Sequence, residues 1–194
     1  MENSKPKKFL FIGRTASGKS SIAKAVCEKI GLKQVKSYTT RPARPGETNE
    51  NADHYFVTKE EFDLIMAEHL GCVAAYTKIN DFEYCTTTDI LDKSDIYVID
   101  PDGVNTLKKN CGDKYEFIEV YFRVPFLLSC QRYQERGGNK SRAEFVARYD
   151  SEREQFDKYE KEKSFQYHVL NDGSFDESVE KVCKFIKKEL ENNI

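Results

Sequence analysis

Gly13-Arg14-Thr15-Ala16-Ser17-Gly18-Lys19-Ser20 fits the pattern G-x-x-x-x-G-K-[ST] without a mismatch. The stretch Phe9-Leu10-Phe11-Ile12 before it has the apolar, aromatic and branched character of a buried strand. After it, Ile22, Ala23, Val26, Cys27 and Ile30 recur at helical spacing, and Gly31 supplies a stop. A strand, a glycine-bounded loop and a helix in that order make a phosphate-binding loop. The glycines let the backbone bend so that successive N–H groups point at one anion, and the new helix adds its positive end. Lys19 would bridge the β- and γ-phosphates of a nucleoside triphosphate, and the Ser20 hydroxyl would take a place on Mg²⁺. The plain alternative is a chance Gly-Lys-Ser turn, which the flanking strand and helix argue against.

The 194-residue chain as a whole sets broad limits. Its length fits one domain with a sizeable core. Apolar residues make up 39% and charged residues 33%, which excludes a disordered chain. A formal charge of −2 gives no support to a nucleic-acid binder held by bulk electrostatics, so any anion site must be local. Cys27, Cys72, Cys85, Cys111, Cys130 and Cys183 form no C-x-x-C pair and have no His partners at metal-ligand spacing. They read as reduced small hydrophobes, as in a cytoplasm. Lys5-Pro6-Lys7-Lys8 precedes too short an apolar run for a signal peptide or a membrane span, so cytoplasmic placement and no membrane partner are expected.

Further along, Ser37-Tyr38-Thr39-Thr40-Arg41-Pro42-Ala43-Arg44-Pro45-Gly46-Glu47 is predicted to be an ordered loop, because prolines, a glycine and dense hydroxyls exclude a regular element. Arg41 and Arg44 can fork onto one phosphate, or form a solvated basic turn. Asp53 to Asp100 reads as strand, helix (Glu60 to His69), then a Tyr- and Thr-rich β stretch. Its hydroxyls and rings suit a planar heterocycle, though alternating Tyr and Thr also mark any half-exposed strand. Asp95 to Asp100 is a buried strand running into a turn. Asp100 there could hold a water on Mg²⁺ or accept from a base, whereas Asp102 reads as a helix cap. Phe117 to Val124 is the next strand, followed by a helix from Leu127 to Glu135 and a break at Gly137-Gly138-Asn139-Lys140. A charged helix is then expected from about Ser141 to Lys163. Tyr167 to Leu170 makes a short strand, and Val179, Val182, Cys183, Ile186 and Leu190 form one apolar stripe on a last helix.

Ser-x-Thr-Thr-Arg-x-x-Arg-x-Gly-Glu about twenty residues after a Gly-Lys-Ser loop resembles the nucleoside-monophosphate site of guanylate kinases. The resemblance continues through Asp53-His54-Tyr55-Phe56-Val57, Tyr84-Cys85-Thr86, Asp95 to Asp100, Arg132-x-x-x-Arg136-Gly137 with Arg148, and Val169-Leu170-Asn171-Asp172. It implies a three-layer α/β P-loop nucleoside monophosphate kinase fold: a parallel core sheet of about five strands (residues 7–36, 94–125 and 165–194), a small substrate-binding insert (37–93) and a helical lid (about 132–160). It further implies transfer of the ATP γ-phosphoryl group to GMP. By the resemblance, Lys19, Arg132, Arg136 and Arg148 are catalytic. Gly13 through Ser20 and Asn171 bind ATP, while Ser37, Arg41, Arg44, Tyr55, Tyr84, Thr86 and Asp100 bind the acceptor. Among these, Tyr84 is expected on its phosphate and Thr86 on its base.

Departures fall mainly in the base-reading shell. Ala75 stands where the family carries a glutamate, Val98 where it carries an aspartate, Asp102 where it carries a glutamine and Cys85 where it carries a glycine. A gap-free match puts His54 at the family's tyrosine, with Tyr55 one residue on; Arg14 and Ala16 replace the more usual Pro and Gly. Glu83 is a candidate substitute for the missing base acceptor. A kinase for another monophosphate or a small metabolite, and a noncatalytic guanylate-kinase-like module, are the competing readings. Retention of Lys19 and Ser20 opposes the module. Monomer and homodimer both remain open.

Overall fold

β1 (Lys7–Ile12) carries Phe9, Leu10, Phe11 and Ile12, all with no solvent exposure, and it lies inside a parallel sheet. The computed structural model describes residues 5–136, 140–162 and 165–191. Gly13 to Gly18 leads into α1 (Lys19–Ile30), which Gly31 closes in a left-handed conformation with its N–H on the Cys27 carbonyl. Two more parallel strands flank β1: β6 (Ile96–Val98), followed by α4 (Pro101–Cys111), and β7 (Glu116–Arg123). β8 (Tyr167–Leu170) adds beyond β7, giving the order β6-β1-β7-β8. Gln34 bridges Ile96 in parallel on the far side of β6, a fragment of the fifth strand that the sequence implies.

Side-chain alternation along β1 divides the core. Phe9 and Phe11 pack with Ile22 and Val26 of α1 and with Val179, Val182 and Ile186 of α8 (Phe175–Glu191). Leu10 and Ile12 pack on the opposite face with Val104 and Leu107 of α4 and with Phe156 and Tyr159 of α7 (Arg153–Glu162). Helix, sheet and helix make three layers, as expected of strands and helices that alternate in sequence.

A second sheet, of order β3-β2-β5-β4, occupies the insert. β2 is Ser37–Thr39 and β3 is His54–Phe56; the pair is parallel. The start of the expected loop is therefore a strand: its hydroxyl-rich residues find ladder partners on both sides, and the irregular backbone begins only at Thr40. α2 (Lys59–Glu68) opens on a reciprocal capping box between Thr58 and Glu61. β4 (Val73–Ile79) and β5 (Phe82–Thr87) form a hairpin that turns at Asn80, whose φ is 49°. α3 (Thr88–Asp92) returns the chain to β6, and β4 packs against α4.

α5 (Phe126–Glu135) and α6 (Arg142–Ser151) precede α7. The expected continuous helix from Ser141 to Lys163 is interrupted at Glu152, whose carboxylate is drawn to the phosphate loop; residues 163–164 lie outside the described residues. The expected break at Gly137, Gly138 and Asn139 also lies outside them. All six cysteines are free, and no described helix is long and apolar enough to cross a membrane.

Phe11 touches Phe122 with ring centroids 5.0 Å apart inside the α1/α8 layer. Phe11→Ala is expected to lower unfolding free energy by about 3–5 kcal/mol, measured by urea denaturation followed by circular dichroism.

Candidate functional site

A cleft opens beyond the carboxyl ends of β1 and β6, where ligands of open α/β sheets bind. One wall is the phosphate loop: Gly13, Thr15, Ala16, Gly18, Lys19 and Ser20 line it. Ala16 and Gly18 have φ of 58° and 84°, and Gly18 caps α1 without any side-chain hydrogen bond. The first-turn amides of α1 are thus left to an external anion. A Cβ on Gly18 would lie 2.4 Å from Asn171 Nδ2, so close approach and backbone conformation both require glycine there.

Lys19 Nζ sits 3.5 Å from the Arg14 carbonyl. Burial, assisted by Arg136 and Arg148 and opposed by Glu152 and Asp100, pulls its pKa down to about 8. Glu152 accepts the Thr15 N–H at 2.8 Å through one oxygen and Arg148 Nε at 3.2 Å through the other. A carboxylate thus sits on the loop's own amide.

Across the cleft, Arg41 and Arg44 converge on one anion, as the spacing suggests, and that anion is Glu47. Arg41 donates to its Oε2 at 2.9 Å, the Arg44 backbone N–H donates to the same oxygen at 2.8 Å, and the Arg44 guanidinium lies 3.6 Å from Oε1. Arg136 and Arg148 line the same cleft from the helical side.

On the floor, Asp100 is the N-cap of α4, accepting from the Asp102 and Gly103 amides. The cap is therefore Asp100 rather than Asp102, because Pro101 occupies the first helical position and puts Asp102 inside the helix. Thr77 Oγ1 and Gln155 Nε2 also donate to Asp100 Oδ1, at 3.1 and 2.9 Å. Burial raises the Asp100 pKa against these bonds.

Strand alternation sorts the insert residues. Ser37 and His54 are cross-strand partners that line the cleft, with Ser37 Oγ 2.8 Å from His54 Nδ1. Tyr55, one residue on, turns to the other face, where it packs on Tyr38 under Lys36. His54 is thus the cleft residue and Tyr55 is not. Tyr84 and Thr77 pair and both line the cleft. Glu83 falls on the opposite face, held by Tyr76 and Lys59, so it does not replace the missing acceptor. Thr86 is fully buried and does not line the cleft, although its partner Ala75 does; among the described residues its Oγ1 has no hydrogen-bond partner.

Four further expected residues sit elsewhere. Arg14 turns away from the cleft, its guanidinium held by Asp157 at 2.6 Å and Glu160 at 3.3 Å and facing the rings of Tyr149 and Phe156. Ser17 lies on that same reverse side. Asn171 is buried and braces the loop: Nδ2 donates to the Ser17 carbonyl at 2.9 Å, and Oδ1 accepts from Ser178. Arg132 donates to the Asn171 carbonyl at 2.9 Å and lines a second recess with Gly18, Arg136 and Phe175.

Thr77, Gln155 and Glu152 are not among the expected site residues, and His54 is there only as the alternative to Tyr55. Cross-strand pairing in the β4–β5 hairpin, which puts Thr77 opposite Tyr84, identifies Thr77, and positions four and seven residues after Arg148 identify Glu152 and Gln155. Among the described residues no cluster of three or more His, Cys, Asp or Glu could hold a metal.

The family model for guanylate kinase matches residues 5–189. The guanylate kinase of Syntrophotalea carbinolica is 31% identical over 147 residues, covering 72% of this chain and 67% of that protein. That of Syntrophus aciditrophicus is 30% identical over 174 residues, 87% of this chain and 79% of its own length. The crystal structure of guanylate kinase from Anaplasma phagocytophilum has the same fold, with a TM-score of 0.69 at 20% identity, covering 97% of this chain and 88% of that one. A family match spanning the described fold almost from end to end means that the chain belongs to the guanylate kinase family.

Proposed function

We propose that the protein transfers the γ-phosphoryl group of ATP to the phosphate of GMP, giving ADP and GDP. The observation that carries this reading is that the Lys19 loop and the Arg41/Arg44 pair face one cleft. One cradle suits the donor phosphates and the other the acceptor phosphate. The attacking oxygen is already anionic, so no general base is needed, and the protein's work is positioning and charge neutralisation.

In this reading Lys19 holds the donor β- and γ-phosphates with the α1 amides, and the donor displaces Glu152 from the Thr15 N–H. Arg136 and Arg148 offset charge on the transferring group, and Arg132 with the braced Asn171 flanks the donor nucleoside. Arg41, Arg44 and Tyr84 orient the acceptor phosphate, with Ser37 beside them. Ser20, and Asp100 through water, offer the hard oxygens that Mg²⁺ prefers; when bound, the ion would neutralise donor phosphate charge. Asp100 retains Oδ2 for this, since the four donors described above all meet Oδ1. Residues 37–93 act as the acceptor-binding insert and about 132–160 as a lid on the remaining frame.

The test is ADP release with ATP and Mg²⁺ against GMP, dGMP, AMP, CMP, UMP and IMP. GMP is expected to be the best acceptor, and release equal for all six would overturn the assignment. Lys19→Ala is expected to lower kcat by about 10²–10³-fold, on the order of 3–4 kcal/mol in the barrier, with little change in melting temperature. The pH dependence has a defined sign. The Lys19 pKa of about 8 keeps the ammonium present below that pH and removes it above. ATP affinity measured by titration from pH 7 to 10 is therefore expected to fall above about pH 8, and Lys19→Met is expected to flatten that limb.

A further inference from the structure

We propose that docking of the acceptor phosphate is coupled to uptake of a proton by His54, so that the imidazole becomes a third cationic partner of that phosphate beside Arg41 and Arg44. This rests on the acceptor reading of the Arg41/Arg44 cradle. His54 lines the cleft from β3, its ring edge-on to Tyr84 with centroids 5.5 Å apart. Its Nδ1 is occupied by the Ser37 hydroxyl, and no hydrogen bond among the described residues engages Nε2. With Ser37 donating to Nδ1, the proton of the neutral ring resides on Nε2, leaving an N–H donor for a ligand. Protonation turns the Ser37 contact around, the hydroxyl then accepting from Nδ1–H, so neither state strands a polar group.

The surrounding charges set the coupling. Arg41, Arg44 and Lys36 disfavour the imidazolium and Glu47 opposes them; the Tyr84 ring meets the imidazole edge-on, and Asp53, also lining the cleft, immediately precedes the strand that His54 opens. Burial adds to the cationic field, and together they push the His54 pKa down to about 4. The ring is therefore neutral in the free cleft at physiological pH. A phosphate dianion between Arg41 and Arg44 reverses the local field, because opposite charge nearby favours the charged form. The sign follows: the occupied site binds a proton that the empty site does not, so lowering the pH from 7 towards 5 strengthens the His54 contribution to acceptor binding. A tyrosine or phenylalanine there could not supply this proton linkage.

The chain has three histidines, which makes the test direct. Imidazole NMR of the ¹⁵N-histidine-labelled full chain is followed from pH 4.5 to 8 with and without saturating GMP, with ³¹P NMR tracking the second ionisation of the nucleotide phosphate near 6 separately. The expected result is a His54 proton affinity at least tenfold higher with GMP, while His69 and His168 stay unchanged. His54→Gln is expected to weaken GMP binding about tenfold at pH 6 and to abolish proton uptake beyond that of the phosphate itself. An unchanged His54 midpoint under saturating GMP overturns the proposal, as does unaltered pH-dependent GMP affinity in His54→Gln. GDP formation by a protein whose His54 does not shift leaves the kinase reading standing and removes this inference alone, whereas a chain that neither binds GMP nor makes GDP overturns both.

Discussion

The amides at the start of α1 have no partner of their own. Gly18 opens that helix in a left-handed conformation with no capping side chain, at the point where Gly18, Lys19 and Ser20 line the cleft. Such an arrangement is useful only if the loop cannot relax to satisfy those amides internally, and the structure fixes it from behind. Asn171 grips the Ser17 carbonyl, and the Ser17 N–H donates to the Arg14 carbonyl. Gly13 lies so close to the Phe122 carbonyl that an added Cβ would be 2.7 Å from it. Strand β8 is thus tied to the donor end of the cleft through one buried amide side chain. The sheet order matters for the same reason, because it brings Asn171, Gly13 and Asp100 to the same edge of the molecule.

A second consequence concerns charge. Lys19, Arg41, Arg44, Arg136 and Arg148 share one cavity, and burial together with their mutual repulsion lowers the pKa of Arg44 and Arg136. The protein offsets this with Glu47 between two guanidiniums, Glu152 on the loop amide and Asp100 on the floor. In the proposed reading, phosphates would enter by exchange, replacing carboxylates in bonds already formed. Exchange of this kind favours ligands that carry more charge per contact than a side chain can, which suits polyphosphates over simple carboxylic acids.

Local chemistry made the frame legible before any coordinates. The strand, loop and helix around Lys19 follow from one pattern and two apolar periodicities, and the Arg41/Arg44 convergence follows from their spacing. What the linear chain concealed was orientation. Arg14 lies within the motif yet faces away, since Asp157 and Glu160 arrive from more than 140 residues downstream in sequence. Tyr55 resembles the family's tyrosine in chemistry, but strand register gives the cleft to His54. Ser37 to Thr39 reads as loop from composition, and its strand exists only because β3 and β5 supply ladders from elsewhere. Glu152 shows no helix-breaking residue type; the interruption there accompanies a tertiary hydrogen bond.

The grip on Arg14 limits how the helical region can travel. Two ion pairs and the Phe156 ring fasten α7 to the phosphate loop, the Tyr149 ring ties α6 to the same Arg14, and Tyr121 of β7 adds a hydroxyl bond to Glu160. Swinging α5, α6 and α7 as one rigid arm would break every one of these contacts at once. In the proposed lid reading, a pivot at the Glu152 interruption would keep the α7 contacts and give up only the Arg14–Tyr149 one, leaving α7 as a fixed post and α6 as the moving leaf. Gating by so short a leaf would admit and release nucleotides without loosening the floor on which Gln155 and Asp100 meet.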